Sequence, residues 1–346
     1  MTIFIDHQFR NIYNGEFMNW IKNNIINVLQ SSSELYVSKS VEDTKNILSI
    51  KQFDIVIMTG YDSITITSIN PKFKETKTIS VIYDMNAEKM TNIFPENTYL
   101  QDVIAYKSRL IFLSNHIVTT NELTKQEILD LYGPYNKLGV NIANKITCLE
   151  NKFDFIEYKD SKKLIDNKYI VINDSINGLC LLVDDFDYII KSFTDRVDDF
   201  PAIKIVLLAD KVPQKLYNEI KNKGLKDYFI ILKDISDQEL LNIYKNSIST
   251  IFPSSFDTNI DKILLSYKEN VISILNPKND LYLSLFEKNG VFYDENMNLI
   301  DIIRIIMRSN KNTKDEIKNA QNENLMSLLT SSDSSIDKVI SKLIEK

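Results

Sequence analysis

The sequence predicts an α/β protein with parallel sheets, divided into two domains. Three observations carry this. Short β-branched runs alternate with stretches of helical apolar spacing along most of the chain. Such alternation implies right-handed βαβ crossovers, and hence parallel strands. A polar, irregular stretch from about Leu149 to Asn167 splits the alternation into two series, and 346 residues is long for one domain.

The first series opens with a buried strand at Ile3–Ile5, followed by apolar residues at helical spacing over Phe17–Leu29. Strands are expected at Phe53–Met58, bounded by Thr59-Gly60, and at Ile79–Tyr83. A helix over Leu100–Leu113, a strand at His116–Thr119 and a helix over Leu123–Tyr132 follow, the last stopped by Gly133-Pro134. The second series has strands at Tyr169–Ile172, Ile203–Leu208, Tyr228–Leu232, Thr250–Phe252 and Val271–Leu275. Its helices are expected over Leu181–Phe193 and Pro213–Lys223, the latter ended by Gly224. Ser236-Asp237-Gln238-Glu239 spells a capping box that starts a helix reaching about Asn246. The tail from Thr313 reads as helices broken at Thr330–Ser335. The expected layout is a first domain over 1–150, a linker over 151–167, a second domain over 168–312 and terminal helices over 313–346.

A net charge of −6 gives no basic field for a nucleic-acid backbone. No run is long and apolar enough to span a bilayer, and MTIFIDHQFR lacks the basic start and apolar stretch of a signal peptide. Cys148 and Cys180 are too few for a disulfide framework and share no metal-ligand spacing, so a reduced, cytoplasmic setting is expected. His7 and His116 are too far apart to argue a metal site, and His116 reads as structural. Asp185-Phe186-Asp187 lies in a helical stretch and reads as a solvated face. There are seven glycines, whereas an average chain has roughly 7%. Glycine is what lets backbone approach a phosphate closely.

Two ordered sets of residues carry a resemblance. Ile82-Tyr83-Asp84-Met85-Asn86-Ala87-Glu88 and Thr119-Thr120-Asn121-Glu122-Leu123-Thr124-Lys125 form the first. Ile235-Ser236-Asp237-Gln238-Glu239-Leu240-Leu241-Asn242-Ile243-Tyr244, with Thr250-Ile251-Phe252-Pro253-Ser254, form the second. In order and spacing they resemble family-4 retaining glycosyltransferases, over most of the chain from Ile3 to about Arg308. The resemblance implies the GT-B fold: two Rossmann-like domains facing a cleft, with a C-terminal helix returning to the first. It also implies a UDP- or GDP-linked sugar bound mainly by the second domain as substrate, an acceptor on the first, and no cofactor or metal.

The donor motifs depart from the family's pattern. After Pro-Ser the family has Glu-Gly-Phe-Gly-Leu-Pro and then a ribose-binding Glu. Here the first Glu is matched by Asp257, the glycines by Thr258 and Ile260, and the ribose-binding Glu by Leu265. Where the family sets Arg and Lys against the diphosphate, this chain has Asn173-Asp174-Ser175-Ile176-Asn177-Gly178. Charge-assisted hydrogen bonds from such a basic pair contribute roughly 1.5–3 kcal/mol each. Asp257 and Asp261 also stand at the helix terminus whose amides would hold the anion, with Lys262 to offset one of them.

The resemblance implies Asp84 and Asp257 as catalytic residues. On the donor side it implies Asn173, Asn177, Lys233, Ile235, Ser255, Thr258, Asn259, Ile260 and Lys262. On the acceptor side it implies Asn14, Gly15, Glu88 and Glu122. Bland roles stay open beside these. Asp84 fits both a site at the end of a parallel strand and a helix cap. Asn14-Gly15 fits a plain strand-to-helix turn, and Asp257 a helix N-cap. Two functions follow: hexose transfer to a saccharide or glycoconjugate, or a catalytically silent scaffold that binds an active glycosyltransferase.

Overall fold

The computed structural model describes residues 1–7, 15–60, 75–134, 141–149, 163–173, 203–208, 214–233, 235–256, 260–294, 299–329 and 335–344, without the side chains of 15–17, 214–216 and 219. The helix expected over Leu181–Phe193, and Asn14, Asn177, Asp257, Thr258 and Asn259 among the site candidates, lie outside them. The chain divides into two compact units, 1–152 with 331–346, and 153–330.

The first unit's sheet is formed by β1 (Thr2–Ile5), β2 (Glu34–Val37), β3 (Ile55–Met58), β4 (Lys77–Ile82), β5 (His116–Thr119) and β6 (Ile146–Cys148). Its order is β2-β1-β3-β4-β5-β6, all parallel. Alternating residues divide the core, as the strand period requires. Ile3, Ile5, Ile55, Ile57, Ile79 and Val81 share one cluster. Phe4, Val56, Met58, Ile82 and Ile117 share the other. The helices are α1 (Gly15–Ile21, a π turn Lys22–Ile26, then Asn27–Leu29), α2 (Val41–Ile50), α3 (Asn86–Met90), α4 (Thr98–Leu113) and α5 (Glu122–Tyr132). In the π turn of α1 the buried Asn24 carboxamide donates to the Trp20 carbonyl at 3.1 Å.

The second unit's sheet comprises β7 (Lys168–Asn173), β8 (Ile203–Leu208), β9 (Phe229–Leu232), β10 (Ser249–Phe252), β11 (Ile272–Leu275) and β12 (Val291–Phe292). Its order is β12-β11-β10-β7-β8-β9, again all parallel. Helices α6 (Gln214–Asn222), α7 (Asp237–Lys245), α8 (Asp261–Lys268), α9 (Asp280–Phe286), α10 (Leu299–Arg308) and α11 (Lys311–Leu329) belong to it. The capping box at α7 is present, Ser236 accepting from Glu239 N–H while the Glu239 carboxylate takes Ser236 N–H. Gly224 ends the turn after α6 with φ +69°, a conformation that suits glycine. The end of the expected linker is already part of this unit. Ile165 is buried in its core, and Leu164 N–H donates to Asn242 at 3.2 Å.

One boundary needs correction. The segment 313–346 does not act as a single returning arm, because α11 packs with α8 and β11 of the second unit. Only α12 (Ile336–Ile344) joins the first unit, where Ile336, Val339, Ile340 and Leu343 enter the cluster of β1, β3 and α1. The reason is polar as much as apolar: buried Gln321 on α11 bonds the backbone of Ser273 in β11. Truncating Ile340 to alanine is expected to destabilise the first unit by about 2–5 kcal/mol, read from its denaturant midpoint.

Candidate functional site

In open parallel sheets the loops after the strands' C-terminal ends are where ligands bind. In the first unit, β4 runs into Tyr83-Asp84-Met85 and then α3. Met85 holds the N-cap position of that helix without a side-chain bond. Asp84 instead accepts the Asn86 N–H at 2.9 Å, so its carboxylate caps the turn from one residue earlier. It is only 7% exposed. Burial pushes its carboxyl above the usual carboxylate range; Lys107 and the Asn86 N–H pull it down, and Glu88 pushes it further up.

Glu88 faces inward. Its carboxylate receives Lys107 Nζ at 2.6 Å and the Tyr132 hydroxyl at 3.3 Å. Lys107 is wholly buried and also donates to the Asp84 carbonyl at 3.0 Å. Lys107 and Tyr132 fall outside the motifs that marked this site in the sequence. The Thr119–Lys125 segment is a clamp. Asn121 caps α5 by accepting Thr124 N–H at 2.8 Å. Thr120 and Thr124 hydroxyls both donate to the Tyr83 carbonyl, at 3.0 and 3.3 Å. The residues that carry the resemblance therefore tie the end of β4 to the start of α5. Glu122 lies on the surface, pairing with Lys125 three residues on. Gly15 opens α1. His116 is structural, bonding Thr147 at 2.9 Å.

In the second unit, Asn173 ends β7, and its side chain is engaged by the sheet. Its carboxamide donates to the Ile251 carbonyl at 3.4 Å and accepts the Tyr244 hydroxyl. The loop after β10 is held from β11: Asn276 donates to the Pro253 carbonyl and to Ser255 Oγ, and Asn279 to the Ser254 carbonyl at 3.0 Å. These two asparagines escaped the sequence reading; the Asn-Pro-Lys-Asn turn was their only signal. Helix α8 starts at Asp261, with Ile260 at the N-cap and no side-chain cap bond. Lys233 is exposed just after β9, and Ile235 packs on the cluster of β7 and α7. Lys262 lies in the first turn of α8. Leu265, matched to the family's ribose-binding Glu, packs on the same cluster as Ile235. Among the described residues no three His, Cys, Asp or Glu side chains gather as a metal site, and no helix is long and apolar enough to cross a membrane.

No protein-family model matches the sequence, and no curated protein matches it. Solved structures do. WaaG, a glycosyltransferase involved in lipopolysaccharide biosynthesis, matches with a TM-score of 0.68 at 9% identity, covering 100% of both chains. Sucrose-phosphate synthase from Thermosynechococcus elongatus matches at 0.67 and 10% identity, with 100% of this chain and 98% of that one covered. TarM matches at 0.62 and 14% identity over 88% of this chain, which spans 57% of TarM's length. A mutant of S. aureus TarM is also known in complex with Fondaparinux, alpha-GlcNAc-glycerol and UDP. The two parallel six-stranded sheets with their flanking helices, and the end-to-end match to WaaG, give this chain the GT-B fold.

Proposed function

We propose that the protein is a glycosyltransferase, moving a hexose from a UDP- or GDP-linked sugar to a saccharide or glycoconjugate acceptor, with retention and without a metal. The observation that carries this is the match over the whole of both chains to a glycosyltransferase, WaaG. The residue sets that resemble family-4 enzymes, at the ends of β4 and β10, add to it. In this reading Asp84 works on the acceptor side with Asn14 and Gly15, and Asp257 works near the donor sugar. Ser255, Lys262 and the backbone of Thr258, Asn259 and Ile260 hold the donor, with Lys233 and Ile235 beside the base and Asn177 near the diphosphate. Asn173 and Glu88, whose side chains are engaged by their own sheets and helices, hold the frame around those groups.

A second reading has a specific observation in its favour. Leu265 offers no carboxylate to a ribose, and residues 173–178 hold no cation for a diphosphate. A GT-B scaffold without turnover, binding an active glycosyltransferase, fits those losses. Titration with UDP, GDP and their sugar conjugates separates the two. A ligand at 100 times its Kd raises stability by about 2.7 kcal/mol, a visible thermal shift. Under the enzyme reading one nucleotide sugar binds, and Asp257→Ala weakens it about tenfold. No binding at millimolar concentration would sink the enzyme reading.

A further inference from the structure

Groups from three helices meet around the Asp84 turn. Lys107 of α4 donates to Glu88 Oε2 at 2.6 Å and to the Asp84 carbonyl at 3.0 Å, with no exposure to solvent. Tyr132 of α5 donates to the other oxygen of Glu88 at 3.3 Å. Beside them Lys89 of α3 pairs with Glu127 of α5 at 2.5 Å. Each lysine thus has a glutamate, and the Asp84 carboxyl stands outside both pairs.

A buried ion pair is a weak source of stability, because desolvation offsets most of its attraction. An apolar side chain at position 107 would serve packing as well. The ammonium adds something packing does not: a donor that grips the main chain of Asp84 while its charge is matched by Glu88. We propose that Lys107 is a positioning residue for Asp84, fixing where that carboxyl meets an acceptor hydroxyl by holding its carbonyl and tethering Glu88. This rests on the glycosyl-transfer reading of that strand end. The charges agree with the geometry. Burial dominates at Asp84 and raises it, Lys107 leads the opposing effects, and Lys89 acts the same way as Lys107 but more weakly. The titratable groups around it are Lys107, Glu88, Lys89, Glu127 and Tyr132.

The test uses the full chain with 13C-labelled aspartate, the Asp84 signal being assigned by its loss in Asp84→Asn. The double variant Lys107→Met, Glu88→Gln removes both buried charges at similar volume. Its Asp84 midpoint is expected to move to higher pH, because the larger of the two opposing charges is gone. Lys107→Arg should bring the midpoint back toward the wild type. Transfer kcat should fall about tenfold to a hundredfold in the double variant, with UDP affinity unchanged. An Asp84 midpoint equal to the wild type's in the double variant overturns the proposal. If the double variant does not fold, Glu88→Gln alone is the second readout. It leaves Lys107 to Asp84, so the midpoint should fall, and no fall overturns the proposal. A wild type that transfers no sugar but shows these shifts refutes the glycosyl-transfer reading while leaving the hold of Lys107 on Asp84 intact.

Discussion

Asp84→Asn is expected to raise the melting temperature at pH 7 and to cut glycosyl transfer by about 10²-fold or more. The two effects share one cause. Burial makes the folded state hold the Asp84 proton more tightly than the unfolded chain does, whose carboxyl titrates near its ordinary value of 3.8. Between that value and the higher folded one, the native state binds more protons. Stability therefore falls as pH rises through the window, and the full cost is present above it. Asparagine carries no charge to desolvate, yet keeps an oxygen for the Asn86 N–H. The gain should be present at pH 7 and vanish below the unfolded value. Melting curves at pH 3 and pH 7 read this directly, and an equal gain at both would rule out ionisation as its source. A carboxylate kept at a cost to the fold is what a working residue looks like.

Gln321→Leu is the second large effect, a loss of about 2–4 kcal/mol from the second unit. β12 is only two residues long and pairs Ile274 and Leu275, leaving Ser273 beyond its reach. Gln321 accepts the Ser273 N–H at 3.4 Å and donates to its carbonyl at 3.0 Å, both groups being buried. In effect a side-chain amide extends the edge of the sheet. Leucine fills similar space but strands both backbone groups without partners. Urea denaturation of the full chain should show the second unit's midpoint lowered. A change within about 0.5 kcal/mol, the range of an ordinary surface substitution, would mean that the amide does not hold this edge.

The sequence made the inner strands legible because both their faces are buried. His116–Thr119 (His-Ile-Val-Thr) and Ile203–Leu208 (Ile-Lys-Ile-Val-Leu-Leu) read as short β-branched runs with few polar interruptions and were bounded correctly. The edges were not. Glu34–Val37 is half exposed and has no β-branched run, and α2 buries only Thr44 and Leu48, too few for a clear period. β6 and β12 are too short to show a pattern. In the site, the Asp84 strand end was legible as a motif, but its supports were not. Glu88, Lys107 and Tyr132 come together across helices that only the fold brings side by side. One local signal did exist. Leu100, Val103, Lys107, Leu110 and Ile111 recur at helical spacing, so the lysine sits on the apolar stripe of α4. A charge in that place must find a buried partner.

The return of α12 to the first unit sets an order of events during synthesis. Its side chains complete the cluster that Ile3, Ile5 and Trp20 begin, so the first unit's earlier residues wait for a helix translated after the whole of the second unit. All of 153–330 is translated in between, roughly 10–40 s at typical elongation rates of about 5–20 residues per second. The second unit is contiguous and can close on itself in that interval. The first meanwhile leaves an apolar sheet face open to chaperones. Ribosome-bound chains arrested before Ile336 should therefore be bound by holdases through the first unit's residues, and released once α12 has emerged.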